Sequence, residues 1–308
     1  MDNKPYLYFG DYLRHKYNNR VFKISINPKF SCPNRDGTLD TKGCLFCGDD
    51  GSASVVSQRP ENVLEQLKLV KNCFKRIDPA TKYISYLQAF SNTYAPINEL
   101  KKIYDAVIKP DNIIGLMIAT RPDLLSDQVL DLIASYQQQG FELWLEIGIQ
   151  TVHNKSLYFL NRQHDFEVVE KSIKKAKARG ISVCGHLILG IPGESWSDMM
   201  QTAEKISDLP LQGVKIHNLH VISGTRLVDL YKKGEIKLLE LNEYISLLCD
   251  FMERLRSDII IHRLVGERDR KSLIAPIWKE RKGTITKYIK DEFIRRGTFQ
   301  GFLMQKYD

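Results

Sequence analysis

The sequence has little that would suit a membrane or a secreted protein. No stretch of eighteen consecutive apolar residues occurs, so we expect no membrane-spanning helix and no membrane partner. Residues 1–19 lack an apolar core and a small-residue cleavage site, which predicts that no secretory signal is present. The cytoplasm is therefore the expected location, and thiols stay reduced in that compartment.

Cysteine is scarce, but its distribution is uneven. The 308 residues contain six cysteines, and three of them, Cys32, Cys44 and Cys47, fall within sixteen positions on a loop rich in Gly, Asn and Asp. A disulfide would leave one of the three over, and a four-ligand zinc site would need one more ligand. In a reducing compartment the trio indicates metal binding or catalysis. The remaining cysteines are expected to be core residues: Cys73, Cys184 and Cys249.

Positive charge exceeds negative charge, and part of the excess is local. The chain has 45 basic and 37 acidic side chains, a formal net charge of +8. Residues 171–179 carry five positive charges and no negative one, and residues 279–296 carry seven positive and three negative. Basic surfaces favour a phosphate-rich partner such as RNA. The alternative for each stretch is a solvated helix face.

Short apolar runs alternate with helix-like segments over most of the chain. The runs are continuous rather than alternating, which is typical of strands buried on both faces of a parallel sheet. Six strands are predicted, at 21–27, 83–88, 113–119, 142–149, 181–189 and 213–222. The helices are predicted at 61–77, 97–108, 126–139, 165–179, 195–209, 241–255 and 284–297. The pattern predicts an α/β fold with right-handed crossovers, whose sheet either curls into part of a barrel or stays open.

The cysteine loop follows the first predicted strand, at the sheet edge where parallel α/β folds collect their ligand-binding loops. Thiolates select zinc or iron–sulfur clusters. Zinc held by the three cysteines and a histidine such as His15 is one reading. The other is a [4Fe–4S] cluster with three protein ligands, which leaves one iron open for chemistry.

The spacing Cys-x(11)-Cys-x(2)-Cys, with Phe46 just before the last cysteine, resembles the radical S-adenosylmethionine (SAM) enzymes. It is most similar to the YtqA/YhcC-type subgroup, which is related to the Elongator catalytic subunit. The resemblance extends through several ordered motifs from about residue 20 to 280. It implies a partial (β/α)6 TIM-type barrel of parallel strands over residues 21–225, after an N-terminal extension at 1–20. Residues 226–308 would form a helical, basic C-terminal extension packed on the barrel.

The resemblance also implies the cofactor ligands. Cys32, Cys44 and Cys47 correspond to the cluster ligands, and the segment 86–96 to the one whose backbone meets the SAM amino group. That segment departs from the usual Gly-Gly-Glu, so only a backbone role is expected there. Arg162 corresponds to a residue that could pair with the SAM carboxylate. The implied SAM-binding residues are Gln88, Ala89, Phe90, Ser91, Thr120, Arg121, Gln150, Arg162, His186 and Gly190.

The function implied is generation of a 5′-deoxyadenosyl radical. The subgroup suggests transfer RNA as substrate, with conversion of a carboxymethylaminomethyl group at carbon 5 of the wobble uridine to an aminomethyl group. An electron donor such as flavodoxin or ferredoxin is then expected. Two alternatives remain: a radical enzyme acting on a small-molecule or porphyrin-like substrate, and a zinc-stabilised RNA-binding protein without activity. The residue that contacts the substrate radical is not identified.

Overall fold

The computed structural model describes residues 4–51, 62–73 and 81–304. Residues 61 and 74–77 of the first helix expected between strands, and the side chain of Cys73, lie outside the described residues. None of the helices in the described part combines enough length with enough apolar character to span a bilayer.

One parallel sheet of seven strands forms the framework, in the order β1-β2-β3-β4-β5-β6-β8. Its strands are β1 (Val21–Ile26), β2 (Lys82–Leu87), β3 (Ile113–Thr120), β4 (Glu142–Gln150), β5 (Ser182–Leu189), β6 (Gly213–Asn218) and β8 (Ile260–Arg263). Two short strands, β7 (Val221–Ile222) and β9 (Leu273–Ala275), pair antiparallel beside it. The sheet curls into a partial barrel, as the sequence predicts.

Helices pack around this sheet, most of them on its convex face. They are α1 (Phe9–Tyr17), α2 (Val63–Cys73), α3 (Ile97–Ile108), α4 (Asp127–Gln138), α5 (Asn154–Phe159), α6 (Phe166–Ala178), α7 (Trp196–Asp208), α8 (Leu227–Lys232), α9 (Leu241–Glu253) and α10 (Lys282–Arg296). The largest hydrophobic core lies between these helices and the outward side chains of the strands. Strands buried on both faces explain the continuous apolar runs of the sequence.

Two details of the predicted fold are corrected. The sixth predicted strand, 213–222, ends at Asn218, and its last two residues form the separate strand β7. A seventh parallel strand, β8, lies in the segment predicted to be a helical extension, where it pairs with β6. The division of the chain at residues 20 and 225 stays a prediction.

Helix α1 closes the amino end of the partial barrel. Its Phe9 is buried, stacks on the His262 ring of β8 at 3.9 Å, and meets Trp144 of β4 edge-on at 5.4 Å. The Lys23 ammonium of β1 lies 5.3 Å from the centre of the same Phe9 ring. Because α1 fills this end, the main cavity of the described residues opens toward the carboxyl ends of the strands.

The N-terminal cap of α7 offers a direct test of the local structure after β5. Ser195 Oγ accepts the Asp198 backbone N–H at 3.1 Å, and Asp198 accepts the Ser195 N–H at 2.7 Å. We expect Ser195→Ala to lower the free energy of unfolding by about 1 kcal/mol, because one helix N–H loses its acceptor. Urea denaturation measures this. Ser257→Ala, at an exposed serine outside any helix, is the control and should leave the free energy unchanged; equal values for the two variants would contradict the cap's contribution.

Candidate active site

A cavity of about 680 Å³ opens at the carboxyl ends of the strands. It brings together nearly all residues that the sequence predicts for the site: Cys32, Cys44, Cys47, Gln88, Phe90, Ser91, Thr120, Arg121, Gln150, Arg162 and His186. Ala89 and Gly190 do not line it. Ala89 is buried, and the Gly190 N–H points at Met199 Sδ, 3.3 Å away. Their cofactor roles, like those of the others, stay predictions.

The cysteine loop after β1 is held in place by its own arginine and by distant segments. Arg35 donates to the carbonyl oxygens of Cys47 and Gly48 at 2.6 and 2.8 Å. The Gly43 carbonyl accepts from Arg226 at 2.7 Å and from Asn161 at 2.8 Å. An irregular loop is thereby fixed at both ends, so its thiols are positioned before any ligand binds.

The spacing of the three sulfur atoms distinguishes the two metal hypotheses. Two sulfur ligands of a single zinc ion lie at most about 4.6 Å apart, twice the Zn–S bond length. Cys32, Cys44 and Cys47 do not form a group with all sulfur separations within 4.8 Å. A cubane binds each cysteine to a different iron, so its sulfur ligands stand farther apart. The thiols in this cavity therefore fit a [4Fe–4S] cluster better than a single zinc ion.

Positive charge surrounds the most buried of these thiols. Arg162 Nη1 lies 3.3 Å from Cys44 Sγ, and Asn34 Nδ2 lies 3.4 Å from it. Burial alone would raise the pKa of the Cys44 thiol, but the guanidinium groups of Arg162 and Arg121 outweigh burial and lower that pKa. Burial raises the pKa of the Cys47 thiol to about 11. Cys44 is thus the thiol prepared to act as a thiolate ligand.

Two buried arginines stand beside the cysteines with unused donors. Arg121 is 3% exposed; it pairs with Asp123 at 2.9 Å and donates to the Arg162 carbonyl at 2.7 Å. Within the described chain, Arg121 Nη1 and Arg162 Nε have no hydrogen-bond partner. Buried donors normally find acceptors. A carboxylate entering the cavity would supply them, which agrees with the role predicted for Arg162.

The backbone is strained where β2 and β4 reach the cavity. Phe90 has a φ of 54° and Gln150 a φ of 73°, values that non-glycine residues rarely adopt, and β4 carries an irregularity between Gly148 and Gln150. A Cβ at Gly148 would lie 2.9 Å from both Arg162 Nη2 and Gln150 Nε2. Strain of this kind concentrates at ligand sites, and here it aims Gln150 into the cavity.

A network of charged side chains forms the floor of the cavity, and of its members only His186 was predicted from the sequence as a site residue. Glu146 Oε2 accepts from Tyr86 at 2.6 Å, from Lys215 at 2.9 Å, and lies 2.5 Å from His186 Nε2. Glu146 is 0% exposed and Lys215 2%. Burial would raise the pKa of Glu146, but Lys215 and His186 hold it well below its usual value. The signals of this network in the sequence were two charged residues inside apolar strands, Glu146 and Lys215.

One compact group of potential metal ligands also lies in this floor. Ligand atoms of Glu146, Cys184 and His262 lie within 4.8 Å of one another. The Lys215 ammonium already contacts the same carboxylate. A second cation there would face that ammonium group at close range, so the arrangement fits a hydrogen-bonded charge network better than a metal site.

A partial parallel barrel with three thiols and two buried arginines at its carboxyl edge defines an enzyme with a cluster-type metal centre. The chain belongs to the radical SAM superfamily: that family's model matches residues 32–206, and the Radical_SAM C-terminal domain matches residues 211–295. It is a radical SAM enzyme, and the family implies SAM and a [4Fe–4S] cluster as cofactors.

Individual relatives agree with this assignment. The protein YtqA of Bacillus subtilis is 37% identical over 100% of this chain and 98% of its own length. The tRNA uridine(34) acetyltransferase of Methanocaldococcus jannaschii is 31% identical over 44% of this chain, which is 25% of that protein. Among solved structures, the archaeal Methanocaldococcus infernus Elp3 has a TM-score of 0.65 at 20% identity, covering 91% of this chain and 64% of that one. The last similarity concerns the fold alone.

Proposed function

We propose that this radical SAM enzyme modifies transfer RNA, converting a carboxymethylaminomethyl group on carbon 5 of the wobble uridine to an aminomethyl group. The observation that carries the proposal is the cavity itself: the three thiols, the two arginines and a deep charged floor face one open space of about 680 Å³. The relationship to an enzyme named for uridine 34 of transfer RNA supports the substrate class. The matched part covers only a quarter of that enzyme, so acetyl transfer is not part of the proposal.

The cluster and SAM, when bound, supply a 5′-deoxyadenosyl radical that abstracts a hydrogen atom. The chain's own residues position these groups. Cys32, Cys44 and Cys47 would hold the cluster, and the unused donors of Arg121 and Arg162 would receive the SAM carboxylate. Gln150, held in its strained conformation at the end of β4, is suited to the nucleoside. Helix α1 closes the amino end of the barrel and excludes water from that side of the cavity.

The proposed conversion balances without an external oxidant. A hydrogen atom leaves the methylene between nitrogen and carboxylate and forms 5′-deoxyadenosine. The substrate then loses one further electron and a proton. That electron replaces the one that a donor such as flavodoxin or ferredoxin delivers to start the reaction. Water then cleaves the resulting carbon–nitrogen double bond. The nitrogen stays on the uridine as an amine, and the two carbons leave as glyoxylate.

The basic surfaces differ in how well they suit RNA. On α6, Lys171, Lys175 and Arg179 pair with Glu167, Asp127 and Asp131. Lys174 and Lys177 have no carboxylate within 4.0 Å among the described residues, so three of the five cations at 171–179 are paired, as on an ordinary solvated helix face. At 279–296, four of the seven cations have no carboxylate within 4.0 Å among the described residues, which leaves their charges available to phosphates: Lys279, Arg281, Lys287 and Lys290. The α10 face is the better candidate for the RNA surface.

The test is a reaction with anaerobically reconstituted protein, a reductant, SAM and transfer RNA from cells lacking the protein. We expect the wobble nucleoside to change from the carboxymethylaminomethyl to the aminomethyl form, with one 5′-deoxyadenosine and one glyoxylate per conversion, by liquid chromatography and mass spectrometry. Omission of SAM is the control. SAM cleavage that leaves every wobble nucleoside unchanged would overturn the tRNA assignment and favour a small-molecule substrate.

A further inference from the structure

The charged floor of the cavity contains more positive than negative charge. Around the single carboxylate of Glu146 stand Lys215, Lys23 and Arg263, on β6, β1 and β8. Arg263 is in register with Lys215 on the neighbouring strand, which places both side chains on the cavity side of the sheet. The floor therefore carries more positive than negative charge, with Lys215 buried and Arg263 half-buried at the cavity.

The other acidic residues that line the cavity are already engaged near its rim. Asp50 lies 3.4 Å from Arg268, and Glu267 pairs with Lys282 at 2.7 Å. Asp269 accepts the backbone N–H of Lys271 at 3.2 Å. None of them neutralises the floor.

Arg263 lacks an anionic partner in the described part of the chain. Among the residues that the structure describes, no carboxylate lies within 4.0 Å of its guanidinium, and it has no side-chain hydrogen bond. A guanidinium offers five donors in a planar fork that matches a carboxylate. The neighbouring histidines cannot supply an anion, because an imidazole is either neutral or cationic. Burial lowers the pKa of His186 to about 4 and that of His217 as well, which keeps both rings neutral. The missing group is an anion supplied from outside the chain.

We propose that Arg263 forms a carboxylate-binding subsite at the floor of the cavity, and that it binds the carboxylate of the substrate group removed in the reaction. This inference rests on the proposed function, in which the substrate side chain is an N-substituted glycine. SAM also has a carboxylate, but Arg121 and Arg162 stand beside the cysteines with unused donors for it. The cavity thus has two carboxylate positions, one at the cluster and one at Arg263.

The subsite explains how the reacting atom is chosen. The methylene that loses hydrogen is bonded directly to the carboxylate, so fixing the carboxylate fixes that carbon relative to the cluster end of the cavity. Positioning of this kind accounts for large rate effects, because reacting atoms must approach within about 3–3.5 Å. Arg263 would then act as a specificity-determining residue that contacts substrate but not SAM.

The first experiment compares Arg263→Gln with Arg268→Gln in reconstituted enzyme. Arg268 lines the same cavity but already has a carboxylate neighbour. We expect Arg263→Gln to lower kcat/KM for tRNA conversion by about 10- to 100-fold, the range for loss of a charged hydrogen bond, and Arg263→Lys to recover part of it. SAM cleavage without tRNA should be the same in all variants. Conversion by Arg263→Gln at the wild-type rate would overturn the inference while the proposed function stood.

The second experiment separates the two hypotheses by using small probes and no RNA. N-benzylglycine carries the secondary amine and the carboxylate, and N-methylbenzylamine carries the amine alone. We expect the reconstituted wild type to bind the first and not the second in calorimetric titrations, and Arg263→Gln to bind neither. If tRNA is not converted but this selectivity is found, the subsite stands and the proposed substrate falls. Equal binding of N-benzylglycine by wild type and Arg263→Gln, or none by either, would refute the subsite.

Discussion

Replacing Cys44 by alanine is expected to abolish both cluster assembly and SAM cleavage. Cys44 is the buried thiol of the trio, and the guanidinium groups of Arg162 and Arg121 favour its thiolate. With two cysteines left, a cubane would have two irons without protein ligands. Loss of outer partners of a metal ligand alone costs about 10–100-fold in affinity or activity, so loss of the ligand should reduce SAM cleavage by more than about 100-fold. Iron and sulfide analysis and 5′-deoxyadenosine formation measure the two effects.

The matched control for this prediction is Cys249→Ala. Cys249 is equally buried, but it lies in α9 and does not line the cavity. We expect this variant to bind iron and sulfide as the wild type does. A Cys44→Ala protein with full iron content and full activity would remove the basis of the cluster assignment. Stoichiometric zinc in the wild type would do the same.

Most of the fold was predictable because parallel strands buried on both faces leave a strong signal. The six strands from β1 to β6 each appear as a continuous apolar run bounded by polar loops. Strand β8 was missed for a physical reason: it has four residues, and two of them, His262 and Arg263, are polar because they face the interior of the barrel. Tertiary packing, not local propensity, makes this segment a strand.

The site was predictable only in part. The close spacing of Cys32, Cys44 and Cys47 predicts them as metal ligands because they share one loop, and the structure places all three at the cavity. The floor residues Glu146 and Lys215 lie 69 positions apart and meet only after β4 and β6 enter the same sheet. Sequence separation hides such pairs, although a charged residue in an apolar strand already indicates that a partner must exist.

The charge network around Glu146 adds little to the stability of the fold, but it holds polar side chains in place beneath the site. Buried ion pairs are weak stabilisers, because desolvation offsets most of their attraction. The Glu146 network therefore has no clear advantage over an apolar core, except that it holds Tyr86, His186 and Lys215 fixed beneath the site. A rigid polar floor under an open cavity is what a substrate with charged groups requires.

Substitutions at the two ends of the Glu146–Lys215 pair should lower the free energy of unfolding by unequal amounts. Glu146→Gln removes the carboxylate that pairs with Lys215 and faces Lys23, so we expect it to lower the free energy of unfolding by about 3–5 kcal/mol, the cost of breaking a buried pair. Lys215→Met should cost less, because Glu146 keeps the Tyr86 hydroxyl, His186 and the nearby Lys23. Urea denaturation at pH 7 measures both variants.

The unfolding free energy of the Glu146→Gln variant should depend on pH differently from that of the wild type. Burial, with Lys215 nearby, lowers the pKa of Lys23 to about 7, while an unfolded lysine keeps its proton to much higher pH. Between pH 7 and pH 9 the unfolded chain therefore binds more protons than the folded one, and stability rises with pH over that interval. Without Glu146 the interior lysines should lose their protons even more readily. The difference in unfolding free energy between Glu146→Gln and the wild type should therefore be smaller at pH 9 than at pH 7. The double variant Glu146→Gln/Lys215→Met should already recover part of that difference at pH 7. Two results would contradict a role for the charge balance around Glu146 in stability. One is a loss of unfolding free energy in Glu146→Gln that grows with pH. The other is a loss in the double variant equal to the sum of the losses in the two single variants.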